Sequence, residues 1–226
     1  DIISKKYNEI FTHPRVDIGL GAVAVDDANQ VVGVRVDDAY PAAVILKNVE
    51  SDLKNAFMEI QKSYPYEQFF VTSSSEDKKK LIVYMTSDIN PGTYFLYDRD
   101  QSKFTPLARS WSKVDYQDLN QMIAYDFNNR DGVPIQAFLT QAKNKSNKKT
   151  IIYPHGGPWA RDYWGFEPTA QFLAENNFNV IQMNIRGSSG YGYEFGAEVF
   201  GNFEEVLEDI YDGIEFFDAE GLIDKN

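Results

Sequence analysis

The stretch that decides the fold is Thr150-Ile151-Ile152-Tyr153-Pro154-His155-Gly156-Gly157-Pro158. Its β-branched start predicts a strand, its two glycines predict a turn, and the amphipathic residues 168–174 predict a helix. Glycines at such a turn leave backbone N–H groups accessible, and these groups can stabilise an oxyanion formed during acyl transfer. A glycine-rich turn that binds no ligand is the alternative that the motif alone leaves open.

The downstream residues continue this pattern. Residues 179–185 predict a second buried strand, so strand, helix and strand favour parallel pairing with a right-handed crossover. Apolar residues then recur at helical spacing, at Val199, Phe203, Val206, Leu207, Ile210, Ile214 and Phe217. Eleven acidic residues lie between residues 187 and 226, mostly between these positions. We expect them to form the solvated face of an amphipathic helix rather than an acidic binding surface.

The upstream half predicts β structure with one helix. Helical spacing occurs at residues 51–62, and strand candidates precede it at residues 16–25, 30–36 and 43–46. Four short strands joined by tight turns follow, at residues 68–72, 81–85, 93–97 and 104–107. Their number and spacing match one blade of a β-propeller, and an ordinary antiparallel meander is the alternative. A hairpin follows, with strands at residues 123–127 and 135–140.

The composition excludes several classes of function. The chain has 226 residues, of which 43% are hydrophobic, so it can bury a sizeable core. Its formal net charge of −12 disfavours binding to nucleic acids and to anionic membranes. The absence of cysteine excludes disulfides, thiolate metal sites and a cysteine nucleophile. No apolar run approaches the ~20 residues of a membrane helix.

The chain begins at Asp1 and shows no signal-like apolar segment. This beginning leaves open whether a targeting peptide has been removed. Both a cytoplasmic and a periplasmic location are compatible with it.

His155 and His13 are the only histidines. His155 is a tempting general base, but triads of the α/β-hydrolase type run serine, acid, histidine along the chain, and His155 precedes any nucleophile. We expect His155 to orient the glycine turn by hydrogen bonding. His13 lacks partners at metal-ligand spacing, so no metal site is predicted.

A second glycine-rich segment is Gly187-Ser188-Ser189-Gly190-Tyr191-Gly192. It is not a G-x-S-x-G nucleophile motif, and it lacks the lysine of a phosphate-binding loop. We interpret it as a tight turn after a parallel strand. Arg186 could anchor this turn by pairing with a carboxylate such as Asp209.

Four separated blocks occur in one order along the C-terminal third: His155-Gly156-Gly157-Pro158, Gln171-Phe172-Leu173-Ala174, residues 184–192 and residues 208–213. Through these blocks the chain resembles the prolyl oligopeptidase family of serine peptidases, closest to its acylaminoacyl-peptidase and dipeptidyl-peptidase-like bacterial members. The resemblance implies a β-propeller that screens an α/β-hydrolase active site with a Ser-Asp-His triad. Residues 1–120 would then be the last blades of the propeller, and residues 121–226 the first part of the hydrolase domain.

The resemblance also implies roles for residues and ligands. Gly157 would donate its N–H to the oxyanion, with Gly156 and His155 shaping the loop. Structural support would come from Pro158, Arg186, Gly187, Ser188, Gly190, Tyr191, Gly192 and Asp209. A peptide would be the substrate, no cofactor would be needed, and homo-oligomer formation by the full-length protein stays open.

The family's G-x-S-x-G motif follows almost immediately after the segment that matches residues 221–226, so the triad is expected outside this chain. We therefore expect these 226 residues alone to have no peptidase activity. Two other interpretations stay open. One is an esterase or lipase, because the glycine loop serves any acyl transfer. The other is a non-catalytic fragment.

Overall fold

The structure, a computed structural model, describes residues 9–19, 22–46, 51–144, 148–157, 159–198 and 203–224. Within these ranges the chain forms three separate sheets, none of which closes on itself. Helices pack between and beside the sheets, so the protein is of the mixed α and β class. Pro158 and Val199, which the sequence analysis singles out, lie outside the described residues.

The first sheet is antiparallel and contains, in order, β1 (Val23–Val25), β2 (Val31–Asp37) and β3 (Pro41–Ile45). The strand predicted at residues 16–25 is wrong in length, because among its described residues only those of β1 are in a strand. The backbone before β1 bonds elsewhere: Val16 N–H donates to His13 Nδ1 and Asp17 N–H donates to Gly190 O. These tertiary bonds replace a sheet ladder there.

Helix α1 (Asp52–Ser63) precedes the second sheet, and both were predicted. This sheet is an antiparallel meander in chain order, formed by β4 (Gln68–Ser74), β5 (Lys80–Thr86), β6 (Thr93–Asp98) and β7 (Lys103–Arg109). Its core alternates along β5, where Leu81, Val83 and Met85 are buried and contact α1 through Ala56 and Ile60. The four strands are confirmed, and both the blade and the plain-meander interpretations accommodate them.

The third sheet contains β8 (Met122–Asn128), β9 (Pro134–Thr140), β10 (Thr150–Ile152) and β11 (Asn179–Asn184), in the order β10-β11-β9-β8. β10 and β11 are parallel and are joined through α2 (Pro168–Glu175), as the sequence predicts. The remaining pairs are antiparallel.

Two further helices follow the third sheet. The short α3 (Tyr193–Ala197) was not predicted, whereas α4 (Phe203–Ala219) was. α4 buries Val206 and Phe217, and Phe217 belongs to a core cluster with residues of β9 and β11. Phe203 and Leu207 belong to the predicted apolar face, but they are 63% and 51% exposed. In the described part of the chain, no helix combines the length and apolar character needed to cross a bilayer.

Candidate functional site

The candidate site lies where two turns leave the same edge of the third sheet. Because β10 and β11 are parallel neighbours, their carboxyl ends lie side by side, and ligands of open α/β sheets bind at such an edge. Ser189 N–H donates to Ala160 O at 3.0 Å. Asp162 N–H donates to the Asn184 side chain at 2.7 Å, and Asn184 donates back to Asp162 O at 3.0 Å. The loop after β10 and the turn after β11 therefore form one connected unit.

His155 bridges the two turns. Its Nε2 lies 2.9 Å from Ser188 Oγ, and its Nδ1 lies 2.8 Å from Gly156 O. The Ser188 hydroxyl has one proton, which it donates to Ile185 O at 2.6 Å. Ser188 Oγ and Gly156 O both act as acceptors toward the ring, and a neutral imidazole, with a single N–H, can donate to only one of them. These contacts hold the imidazole against the backbone of its own turn and against the neighbouring turn.

Gly156 and Gly157 are both exposed. Gly157 has a φ of +143°, a conformation that strongly favours glycine, and a Cβ at this position would lie 2.8 Å from Trp159 N. Among the described residues, no acceptor faces the N–H of Gly157. The turn thus presents an unused backbone donor on an exposed face of the protein.

The turn at residues 187–192 depends on glycine. Gly187, Gly190 and Gly192 have φ values of 94°, 84° and 88°. Ser188 is only 1% exposed and its hydroxyl is already bonded, so it is unsuited to act as a nucleophile. The geometry is that of a tight turn dominated by its backbone, as the sequence predicts.

Arg186 pairs with Asp209 of α4, as the sequence analysis expected. Arg186 Nη2 lies 2.8 Å from Asp209 Oδ1, and the two residues are 6% and 0% exposed. Arg186 N–H donates to Asp209 Oδ2 at 2.9 Å, and Asn129 Nδ2 donates to Oδ1 at 2.7 Å. These bonds satisfy both carboxylate oxygens, and hydrogen bonding to Asp209 raises the pKa of Arg186 above its ordinary value.

Arg161 is a buried residue of the site that the sequence analysis missed. It is 9% exposed, and its guanidinium lies 4.7 Å from the ring centre of Tyr163 and 4.2 Å from that of Tyr191. An arginine among aromatic residues, in Trp159-Ala160-Arg161-Asp162-Tyr163-Trp164, was the available signal.

Asp162 is the titratable group next to Arg161. Burial raises the pKa of Asp162, although Gln182 Nε2 donates to its Oδ1 at 2.7 Å. His13 lies beside Arg15 and Asp38, and Asp38 accepts a hydrogen bond from Gln136, a partner of Arg161. Across the described ranges, no three histidine or acidic side chains are grouped so that they could hold a metal ion.

Comparison with known proteins shows that the chain is similar to peptidases. The sequence profile described as "Prolyl oligopeptidase family" matches residues 164–226. Dipeptidyl aminopeptidase BIII of Pseudoxanthomonas mexicana is 26% identical over 235 residues, which cover 98% of this chain and 33% of that enzyme. The chain thus spans about a third of the length of this curated relative.

Solved structures share the fold. A puromycin-hydrolyzing peptidase of Mycobacterium tuberculosis superposes with a TM-score of 0.61 at 17% identity, covering 90% of this chain and 31% of that protein. The acylaminoacyl peptidase of Pyrococcus horikoshii superposes with a TM-score of 0.56 at 17% identity, covering 85% of this chain and 29% of that protein.

Proposed function

Because the chain belongs to the prolyl oligopeptidase family, we propose that it forms part of a serine-type peptidase that cleaves short peptides through an acyl-enzyme. The observation that carries this proposal is that Gly157 is exposed and that its N–H has no acceptor among the described residues. We further propose that residues 1–120 are the last blades of a propeller and that residues 121–226 begin an α/β-hydrolase domain.

In this proposal Gly157 N–H donates to the oxyanion of the tetrahedral intermediate. Removing one such donor from a serine peptidase lowers kcat by about 10²–10³-fold. Gly156 contributes an exposed surface without a side chain, on which a bound acyl group can approach the loop. His155 orients the loop through its bonds to Gly156 O and Ser188.

The nucleophile and its base are proposed to lie outside these 226 residues, because the printed sequence contains no G-x-S-x-G motif. We expect the isolated 226-residue chain to resist labelling by a fluorophosphonate, which reacts with activated serines. We expect the full-length polypeptide to be labelled. Labelling of the isolated chain would overturn the proposed location of the nucleophile.

The oxyanion role is tested by Gly157→Ala in the full-length polypeptide. Alanine strains the φ of +143° and places its Cβ 2.8 Å from Trp159 N, so the donor is displaced. We expect kcat for a dipeptide anilide to fall by about 10²-fold. The matched control is Gly221→Ala, which also has a positive φ, of +68°, but meets no atom within 4 Å.

The choice of substrate distinguishes the proposed peptidase from the competing esterase. An esterase would turn over p-nitrophenyl acetate readily and would leave the dipeptide anilide intact. Equal kcat in Gly157→Ala and Gly221→Ala would remove Gly157 from the mechanism, whichever substrate is cleaved.

A further inference from the structure

We propose that Arg161 is a positioning residue that fixes the loop of Gly157 against the turn at residues 187–192, so that the Gly157 N–H points at the developing oxyanion. The inference rests on the proposed function. It concerns a residue that touches neither the substrate nor the reacting atoms.

Arg161 contacts both turns and two sheets. Its Nη1 lies 3.4 Å from Gly190 O, in the turn after β11. Its Nη2 lies 3.1 Å from Asp37 O at the end of β2, and 3.3 Å from Gln136 Oε1 on β9. Since Arg161 is only four residues beyond Gly157, this one side chain connects the glycine loop to the first and third sheets.

Tyr191 completes this arrangement. Its hydroxyl accepts from Arg161 Nη2 at 2.8 Å and from Asn184 Nδ2 at 2.7 Å, and it donates to Gln136 Oε1 at 2.7 Å. The phenol therefore uses its one proton and both lone pairs. Burial raises the pKa of Tyr191, which keeps the phenol neutral and able to donate.

The charge of Arg161 is the unusual feature. Among the described residues, no carboxylate forms an ion pair with Arg161. Its acceptors are carbonyl, amide and hydroxyl oxygens, and the rings of Tyr163 and Tyr191 lie beside its guanidinium. The neighbouring Asp162 carboxylate interacts with Arg161 electrostatically, but the Arg161 Nε lies against the backbone O of Asp162 and not against its carboxylate. A buried cation that lacks a directly bonded counter-charge is costly to keep for stability alone. Its donors reach the turn after β11, the end of β2 and a side chain of β9, and so give directional control over the loop.

The turn at residues 187–192 packs closely against the Arg161 guanidinium. A Cβ on Gly190 would lie 2.9 Å from Arg161 Nη1 and 3.2 Å from its Cδ. The backbone bond from Ser189 N–H to Ala160 O lies immediately beside this contact. A shift of Arg161 therefore moves the segment that follows Gly157. A misplacement of about 1 Å can cost a catalytic group 10²-fold in rate.

The test compares Arg161→Ala with Arg130→Ala in the full-length polypeptide. Arg130 is a matched control because it forms ion pairs with Asp212 and Glu208 while its side chain is 51% exposed. For Arg161→Ala we expect kcat for a dipeptide anilide to fall by about 10²-fold, with KM changed less than about threefold, because oxyanion alignment matters in the transition state. Added methylguanidinium should restore kcat by at least about tenfold in this variant alone.

A second readout does not depend on activity. Hydrogen exchange of the amides of Asp162 and Ser189, which bond to Asn184 Oδ1 and Ala160 O, should be at least about tenfold faster in Arg161→Ala than in wild type, while exchange in β9 is unchanged. Tyr191→Phe, which removes one acceptor, should show the same local effect at smaller size if Arg161→Ala does not fold. If wild type cleaves no peptide, the proposed function fails and the exchange data alone decide the role of Arg161. Unchanged exchange, or a raised KM at unchanged kcat, would overturn the role.

Discussion

Two buried arginines follow the two parallel strands of the third sheet, and their partners differ. Arg186, after β11, faces a carboxylate that is completely buried, in Asp209. Arg161, after β10, bonds to neutral oxygens and lies beside two aromatic rings, and the Asp162 carboxylate acts on it without a direct bond. Both guanidinium groups bond to backbone carbonyls of nearby segments. Arg186 is therefore held by a buried ion pair, whereas Arg161 is held by the placement of its neutral hydrogen-bond acceptors.

This difference predicts opposite consequences of substitution. Removing one partner of a buried ion pair leaves an unpaired charge, which strongly lowers stability. Removing a cation that has no bonded counter-charge also removes the cost of burying that cation, so less stability is lost. Arg186 should therefore matter chiefly for folding and Arg161 chiefly for the position of the loop.

The largest expected effect is that of Arg186→Met. It leaves the Asp209 carboxylate buried without its cation, so we expect the free energy of unfolding to fall by about 3–5 kcal/mol. Urea denaturation at pH 7 measures the change. Arg130→Met, at an exposed ion pair, should lose no more than about 1 kcal/mol. If Arg186→Met left the urea midpoint of unfolding unchanged, Arg186 would not anchor the turn, and the proposed contrast with Arg161 would be wrong.

A smaller effect is expected for Gly190→Ala. Its methyl group would collide with the Arg161 guanidinium, in addition to the strain of a φ of +84°. Gly132→Ala is the matched control, because its φ is +79° and no atom lies within 4 Å of the added Cβ. We expect the control to lose about 1–2 kcal/mol from backbone strain alone. Gly190→Ala should lose about 1–3 kcal/mol more from overpacking, and equal losses would show that Arg161 is free to move.

The two arginines also mark the limit of what the sequence predicts. Arg186 directly follows a predicted buried strand, and Asp209 lies at a core position of the predicted helix. Because a buried charge needs an opposite charge, the pairing could be inferred. The partners of Arg161 carry no such signal. They are a carbonyl oxygen of residue 37 and an amide of residue 136, brought together only by the three-dimensional packing of β2 and β9.

The same distinction holds for the fold. The strands of the second sheet were predictable because tight turns connect neighbours along the chain. The error at residues 16–25 arose because Asp17 N–H bonds to Gly190 O, 173 residues away. Helix α3 has only five residues, too few for a periodic pattern. On α4, spacing alone did not reveal that Val206 and Phe217 are buried whereas Phe203 is exposed.

The smallest expected effect concerns the carboxyl groups of Glu67 and Glu59, which differ in the same way as the two arginines. Burial raises the pKa of Glu67, and the nearby Asp88 raises it further, while its bonded partner Asn90 is neutral. Glu59 is the opposite case: burial acts to raise its pKa, but hydrogen bonds from Arg99 and Tyr97 outweigh it and lower the pKa. Glu67 thus resembles Arg161 in lacking a bonded counter-charge, and Glu59 resembles Arg186 in having one.

The sign of the pH dependence follows from these directions. A carboxyl whose pKa is raised on folding stabilises the protein below its unfolded pKa of about 4.3 and loses that contribution as the pH rises through its folded pKa. Glu67→Gln should therefore match wild type at pH 4 and raise Tm at pH 7 by about 1–3 °C. Glu59→Gln, the matched control, should lower Tm at pH 7, because it removes a stabilising charge. A Tm for Glu67→Gln below that of wild type at pH 7 would show that the Glu67 carboxylate stabilises the protein, contrary to this prediction.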